Sequence, residues 1–161
     1  MNEALRDDSA KLPSPKRHSD RCFPNVQVAS LIGNLPELIL AHLLSDKRVA
    51  IIIETGRNRY VQFLATEDRK LILECVSNRF LVEEEELGIE EELTLIEAGF
   101  ELPGEDREPH PNWWWRTEDP TEVMVACRMA ALVIRRVFRL RPRDLALITE
   151  RTLPVEPWQP D

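Results

Sequence analysis

The sequence predicts an α+β fold, an antiparallel β-meander packed against helices, and three observations carry that expectation. Three short runs, Val49–Glu54, Tyr60–Ala65 and residues 71–76, are rich in β-branched, aromatic and leucine side chains. They are separated by Thr55-Gly56-Arg57-Asn58 and Thr66-Glu67-Asp68-Arg69, links too short for anything but antiparallel neighbours. Leucine-rich and apolar stretches of helical length flank them on both sides. At 161 residues and 18.7 kDa the chain suits one compact domain with a core of its own.

Taken in order, the first helix is expected over residues 35–44. Asn34 and Glu37 are placed like an N-cap and its N3 partner, with Pro36 in the first turn. A backward extension to Val26, kinked at Gly33, is the other form that this helix could take. In the second and third runs the odd positions, Val61, Phe63 and Ala65 then Leu71, Leu73 and Cys75, form the side expected to face the helices. The opposite side is not cleanly polar, so the sheet wants cover there too, at least in part. A short helix over residues 89–98 should end at Gly99 in a left-handed cap, with Phe100 folding back on it. Trp113-Trp114-Trp115 reads as a fourth strand. Asp119-Pro120-x-Glu122 then opens a long helix to about Arg139, with Asp as N-cap and Pro at N1. The remainder, to Thr152, is either a last strand or an irregular closing segment.

Residues 1–24 mix prolines with charges and are expected to form a flexible arm. Residues 153–161 carry proline at every third position and read as a second, flexible tail. The single domain is therefore expected over residues 25–152. No run is apolar enough to span a bilayer, and the opening residues lack the apolar stretch of a signal peptide. The net charge of −8 argues against a nucleic-acid binder, since phosphates need a positive field. Three well-separated cysteines, Cys22, Cys75 and Cys127, suit reduced thiols in the cytoplasm.

The long helix is the most informative element. Nearly everything from Val123 to Phe138 is apolar apart from Arg128, Arg135 and Arg136, an arc wider than one sheet covers. Either the helix is enclosed within its own fold, or the surplus face meets another chain. Val123, Cys127, Ala130, Ile134 and Val137 share the stripe assigned to the sheet. Met129, Val133 and Phe138 lie off it, and are candidate contacts for a client or for a second copy in a homodimer. A strand sends two rings of the tryptophan triplet to one face and one to the other, which marks Trp114 as a further candidate contact. The acidic stretch from Glu83 to Glu92 suits a solvated helix start better than a calcium loop, whose alternating Asp/Asn ligands and central glycine it lacks.

Catalytic chemistry finds little footing. There is no His-Glu-x-x-His, glycine-rich phosphate loop or Gly-x-Ser-x-Gly elbow, and Cys22, Cys75, His110 and Cys127 lack the close spacing of zinc ligands. The expectation is no enzyme, no cofactor and no metal.

Several short motifs follow one another in a recognisable order: Tyr60-Val-Gln-Phe63, Leu73-Glu-Cys-Val-Ser-Asn78-Arg-Phe-Leu81, Leu95-Ile-Glu-Ala-Gly-Phe100-x-x-Pro103, and Pro111-Asn112-Trp113 before a long helix. From Ala41 to Ile148 the chain resembles the TY-Chap domains of actinobacteria, relatives of YbjN and of type III secretion chaperones such as CesT. The resemblance implies a type III secretion chaperone-like, YbjN-like α+β fold without catalytic residues, binding extended segments of client proteins and often dimerising. The matching positions are Tyr60, Gln62, Asn78, Gly99, Pro103, Asn112 and Trp113, of which Tyr60 and Gln62 join the candidate contacts. The three successive tryptophans and the proline-bearing ends depart from the family pattern.

The functional expectation is a non-enzymatic module that binds a client protein or peptide, on the free sheet face or the surplus helix face, with neither nucleic acid nor membrane as partner. The alternative is an immunity- or antitoxin-like acidic protein blocking a basic partner, whose affinity would fall steeply with salt.

Overall fold

The computed structural model describes residues 21–45, 48–66, 70–104 and 110–152. Six strands form one antiparallel sheet: β1 (Arg21–Gln27), β2 (Val49–Glu54), β3 (Tyr60–Ala65), β4 (Leu71–Cys75), β5 (Trp113–Thr117) and β6 (Leu145–Thr152), in the spatial order β1-β6-β2-β3-β4-β5. The meander β2-β3-β4 falls where its alternation places it, and β5 extends it on one edge. β6 returns to the other side of β2, resolving the closing segment as a strand. Among the described residues, three helices, α1 (Val28–Leu43), α2 (Ile89–Glu97) and α3 (Val123–Leu132), join the sheet in an α+β fold. None is long and apolar enough to cross a membrane.

β1 moves the expected boundary of the N-terminal arm. Residues 21–24 belong to the sheet, because β1 pairs with β6 from Arg21↔Glu150 onward, through a bulge between Phe23 and Val26 where Asn25 adopts a positive φ of 61°. Cys22 is thus an exposed strand residue rather than part of an arm. Residues 1–20 and the tail expected over 153–161 lie outside the described residues.

α1 starts earlier than Asn34. Val28, Leu31, Leu35, Ile39 and Leu43 make one buried stripe, so the helix gains by continuing back to Val28. Its first amides need no side-chain cap: Val28 N–H donates to the Asp144 carbonyl and Ala29 N–H to the Pro142 carbonyl, each at 3.0 Å. Asn34 and Pro36 are consequently interior, not cap and first turn. α2 ends as expected, with Gly99 at φ 96° and the Phe100 amide turned back onto the Leu95 carbonyl at 3.0 Å.

The core is a single layer between the helices and the odd-numbered face of the sheet. Ile51, Ile53, Val61, Phe63, Leu71, Leu73, Cys75 and Trp113 meet α1 and α3 there. Asp119 accepts from the Thr121 amide at 2.9 Å and starts a turn over Pro120–Glu122 that leads into α3. Glu122 does not close a capping box; it takes the Thr117 hydroxyl instead. Past α3 the helix widens to a π turn over Val133–Val137, where the Phe138 amide reaches the Val133 carbonyl at 2.9 Å.

The three residues read as surplus on this helix are enclosed within the fold, although Met124 and Val125 of the same helix stay exposed. Met129, Val133 and Phe138 are 7 %, 0 % and 6 % exposed and belong to the core. The lengthened α1 lies beside α3, α2 packs on the π turn, and the Arg59 guanidinium sits 6.0 Å from the Phe138 ring centroid as a lid. Covered by the chain's own elements, these three side chains present no free surface in this structure.

Candidate functional site on the open sheet face

Because the described helices pack on the odd-numbered face of β2–β5, the opposite face, made of even positions in β2–β5 and odd positions in β6, carries no helix among the described residues. Register lays it out in rows. One row crosses all six strands: Cys22, Thr149, Ile52, Gln62, Glu74 and Trp114. Beside it run Arg151, Ala50, Leu64, Ile72 and Arg116, and on the other side Leu147, Glu54 and Tyr60. Ile52, Leu64, Ile72 and Trp114 are half-buried, a shallow apolar floor with no helix over it among the described residues.

At the β4 side of this floor sits a carboxylate, Glu74, only 5 % exposed. A buried charge needs partners, and the surrounding side chains supply them. Gln62, directly opposite on β3, donates to Oε2, and Asn112 Nδ2 donates to the same oxygen at 3.2 Å. Asn112 Nδ2 also reaches the Tyr60 hydroxyl at 3.1 Å, and its Oδ1 accepts the Ser77 amide at 3.3 Å. On the outer side His110 Nδ1 lies 3.4 Å from Glu74 Oε1, while its ring stacks on Trp114 at 4.4 Å between centroids. Arg116 also lies over the Trp114 ring, its guanidinium 5.8 Å from the centroid. Burial is the main cause of the raised pKa of Tyr60, partly offset by the hydrogen bond from Asn112 and reinforced by the Glu74 charge.

The face continues into a cleft of about 780 Å³ at the β2–β3 turn, between Tyr60, Phe80, Leu145 and Leu147. Gly56, Arg57 and Asn58 all take positive φ there, a tight turn whose residues line the cleft. Stacking surface, amide and imidazole groups, and apolar floor make an arrangement suited to non-covalent binding of a chain segment.

Of the six candidate contacts, the structure thus gathers Tyr60, Gln62 and Trp114 on one face and sends Met129, Val133 and Phe138 to the core. Sequence reasoning missed Glu74 as their organiser and His110 as its cover. A charged residue at an even position inside an otherwise apolar strand was the available signal for Glu74. Asn78 holds the backbone in place rather than facing a client. Its Nδ2 donates to the Leu87 carbonyl at 3.0 Å, and its Oδ1 accepts the Leu87 amide at 2.6 Å. Among the described residues no group of three His, Cys, Asp or Glu side chains could hold a metal ion.

Among the described residues, one sheet with helices on one side and a polar cluster on the other makes an α+β fold of the secretion-chaperone type. The chain belongs to the TY-Chap3 family, described as T3SS (YopN, CesT) and YbjN peptide-binding chaperone 3, whose model matches residues 37–149. The match contains β2 to β5, α2, α3 and every residue of the Glu74 cluster. No curated protein and no solved structure matched the chain at a significant level.

Proposed function

We propose that this protein is a non-enzymatic, chaperone-like module that holds a client segment on the open face of its sheet, in the cytoplasm. The observation that supports it is the even-numbered face itself: six paired strands with Ile52, Leu64, Ile72 and Trp114 left half-exposed and no helix above them among the described residues. An extended segment would lie across the rows, its apolar side chains on Leu64 and Ile72 and its main-chain groups within reach of the His110 and Gln62 side chains. Contact of this kind depends on apolar area, so affinity should respond weakly to salt, whereas an acidic blocker of a basic partner would respond steeply. The experiment is suppression of aggregation of a thermally unfolded model protein by the wild type and by Ile72→Asp. Loss of suppression in the variant, with its melting temperature retained, is the expected result. Equal suppression by both proteins would remove the sheet face from the function.

A further inference from the structure

Several arginines of the described chain have a close acceptor: Arg139 pairs with Glu91 at 2.7 Å, Arg141 with Asp144 at 3.0 Å, and Arg59 donates to the Glu85 carbonyl at 3.0 Å. Arg128, Arg135 and Arg136 are different. All three are exposed on the outer side of the helix layer, and none has an ion pair or hydrogen bond among the described residues. In a chain with 29 acidic and 21 basic side chains, three neighbouring cations without a counter-charge among the described residues are a local reversal of sign.

Backbone geometry puts them together. Arg128 and Arg135 are seven residues apart, two helical turns, and so share a line along the helix. The π turn then widens the helix at Val133–Val137, so that Arg135 and Arg136 both face solvent while Val133, Ile134 and Val137 stay buried. Between the arginines lies a groove of about 410 Å³ whose floor is Ala131 and Leu132. Met124 and Val125, 46 % and 43 % exposed, prolong that apolar floor toward the start of α3.

We propose that this groove docks an acidic segment of a partner protein, one that places an apolar side chain on Ala131 and Leu132 and carboxylates against the three guanidinium groups. Guanidinium forks match carboxylates in pairs, and the apolar floor adds the part that charge alone does not supply. The overall charge of −8 selects against broad anionic surfaces. An anionic bilayer or a nucleic acid would meet the repulsion of the whole molecule, whereas a short segment meets only the groove, within a screening distance of about 8–10 Å. The site lies on the helix layer, away from the open sheet face, and stands whether or not that face holds a client.

The test uses the full chain and a fluorescein-labelled peptide of alternating Glu-Glu-Leu units, with a Lys-Lys-Leu counterpart, followed by anisotropy. The acidic peptide should bind and the basic one should not. Arg135→Glu with Arg136→Glu should weaken binding at least about tenfold, as expected for reversing charges at a complementary contact. Arg135→Gln with Arg136→Gln should weaken it less, with melting temperatures unchanged in both. Ile72→Asp should leave this affinity intact, which separates failure here from failure of the sheet-face proposal. No binding of the acidic peptide, equal binding of the basic one, or indifference to the double reversal would overturn the proposal. So would displacement of the acidic peptide by phosphatidylserine vesicles but not by excess unlabelled peptide.

Discussion

Glu74→Ala is the perturbation that probes the candidate site most directly. The carboxylate is 5 % exposed and accepts from Gln62 and Asn112. Removing it strands the Asn112 amide, which is buried and keeps the Tyr60 hydroxyl at 3.1 Å as its remaining acceptor. Gln62 is half-buried and recovers water on the open face. One buried donor left short of a partner costs about 1–3 kcal/mol, and relief of the carboxylate's own desolvation returns part of that. The expected destabilisation is therefore about 1–2 kcal/mol, a fall of several degrees in melting temperature at roughly 3–5 °C per kcal/mol for a domain this size. Glu74→Gln keeps an acceptor for both amides if its own NH2 turns toward His110, and should cost about 1 kcal/mol or less, the charge-assisted share. Urea unfolding of the wild type, both single variants, Asn112→Ala and the Glu74→Ala/Asn112→Ala double variant gives the coupling energy. A Glu74→Ala protein as stable as the wild type, or additivity in the cycle, would refute the claim that Glu74 organises this face.

Three other outcomes follow from the same structure. Met129→Glu with Val133→Glu should abolish folding, since two unpaired carboxylates in the core cost several kcal/mol each against a total stability of about 5–15 kcal/mol; circular dichroism and light scattering would show an unfolded or aggregated chain. Gly99→Ala should lower stability by about 1–2 kcal/mol through backbone strain alone, because φ is 96° and nothing lies within 4 Å of the added methyl; urea unfolding measures it. Burial pushes the Cys127 thiol from its ordinary 9.0 up to about 11, so the folded state holds that proton longer than the unfolded state. This contribution is complete below pH 9 and is lost as pH rises toward 11, so thermal melts of Cys127→Ala across that window should fall less steeply than the wild type.

What the sequence by itself determined are the features whose causes are local. The bounds of β2 and β3 follow from two-residue alternation between short turns, and the end of α2 from a glycine where φ must be positive. The start before α3 follows from an aspartate whose side chain reaches an amide two residues on. These signals need no knowledge of what lies elsewhere in the chain. The tertiary structure decided the rest. α1 begins at Val28 because carbonyls of Pro142 and Asp144, more than a hundred residues away, receive its first amides. β1 exists because β6 offers it a ladder, a partner that the charged and proline-bearing sequence around it does not announce. Met129, Val133 and Phe138 look surplus on a helical wheel, but whether an apolar side chain is exposed depends on what packs over it, here α1, α2 and Arg59. The cluster at Glu74 joins residues from β3, β4 and the segment before β5, and only strand register brings Gln62, Glu74 and Trp114 into one row. Periodicity assigns a side chain to a face; the pairing of distant strands decides which side chains share it, and the packing of helices decides which face stays open.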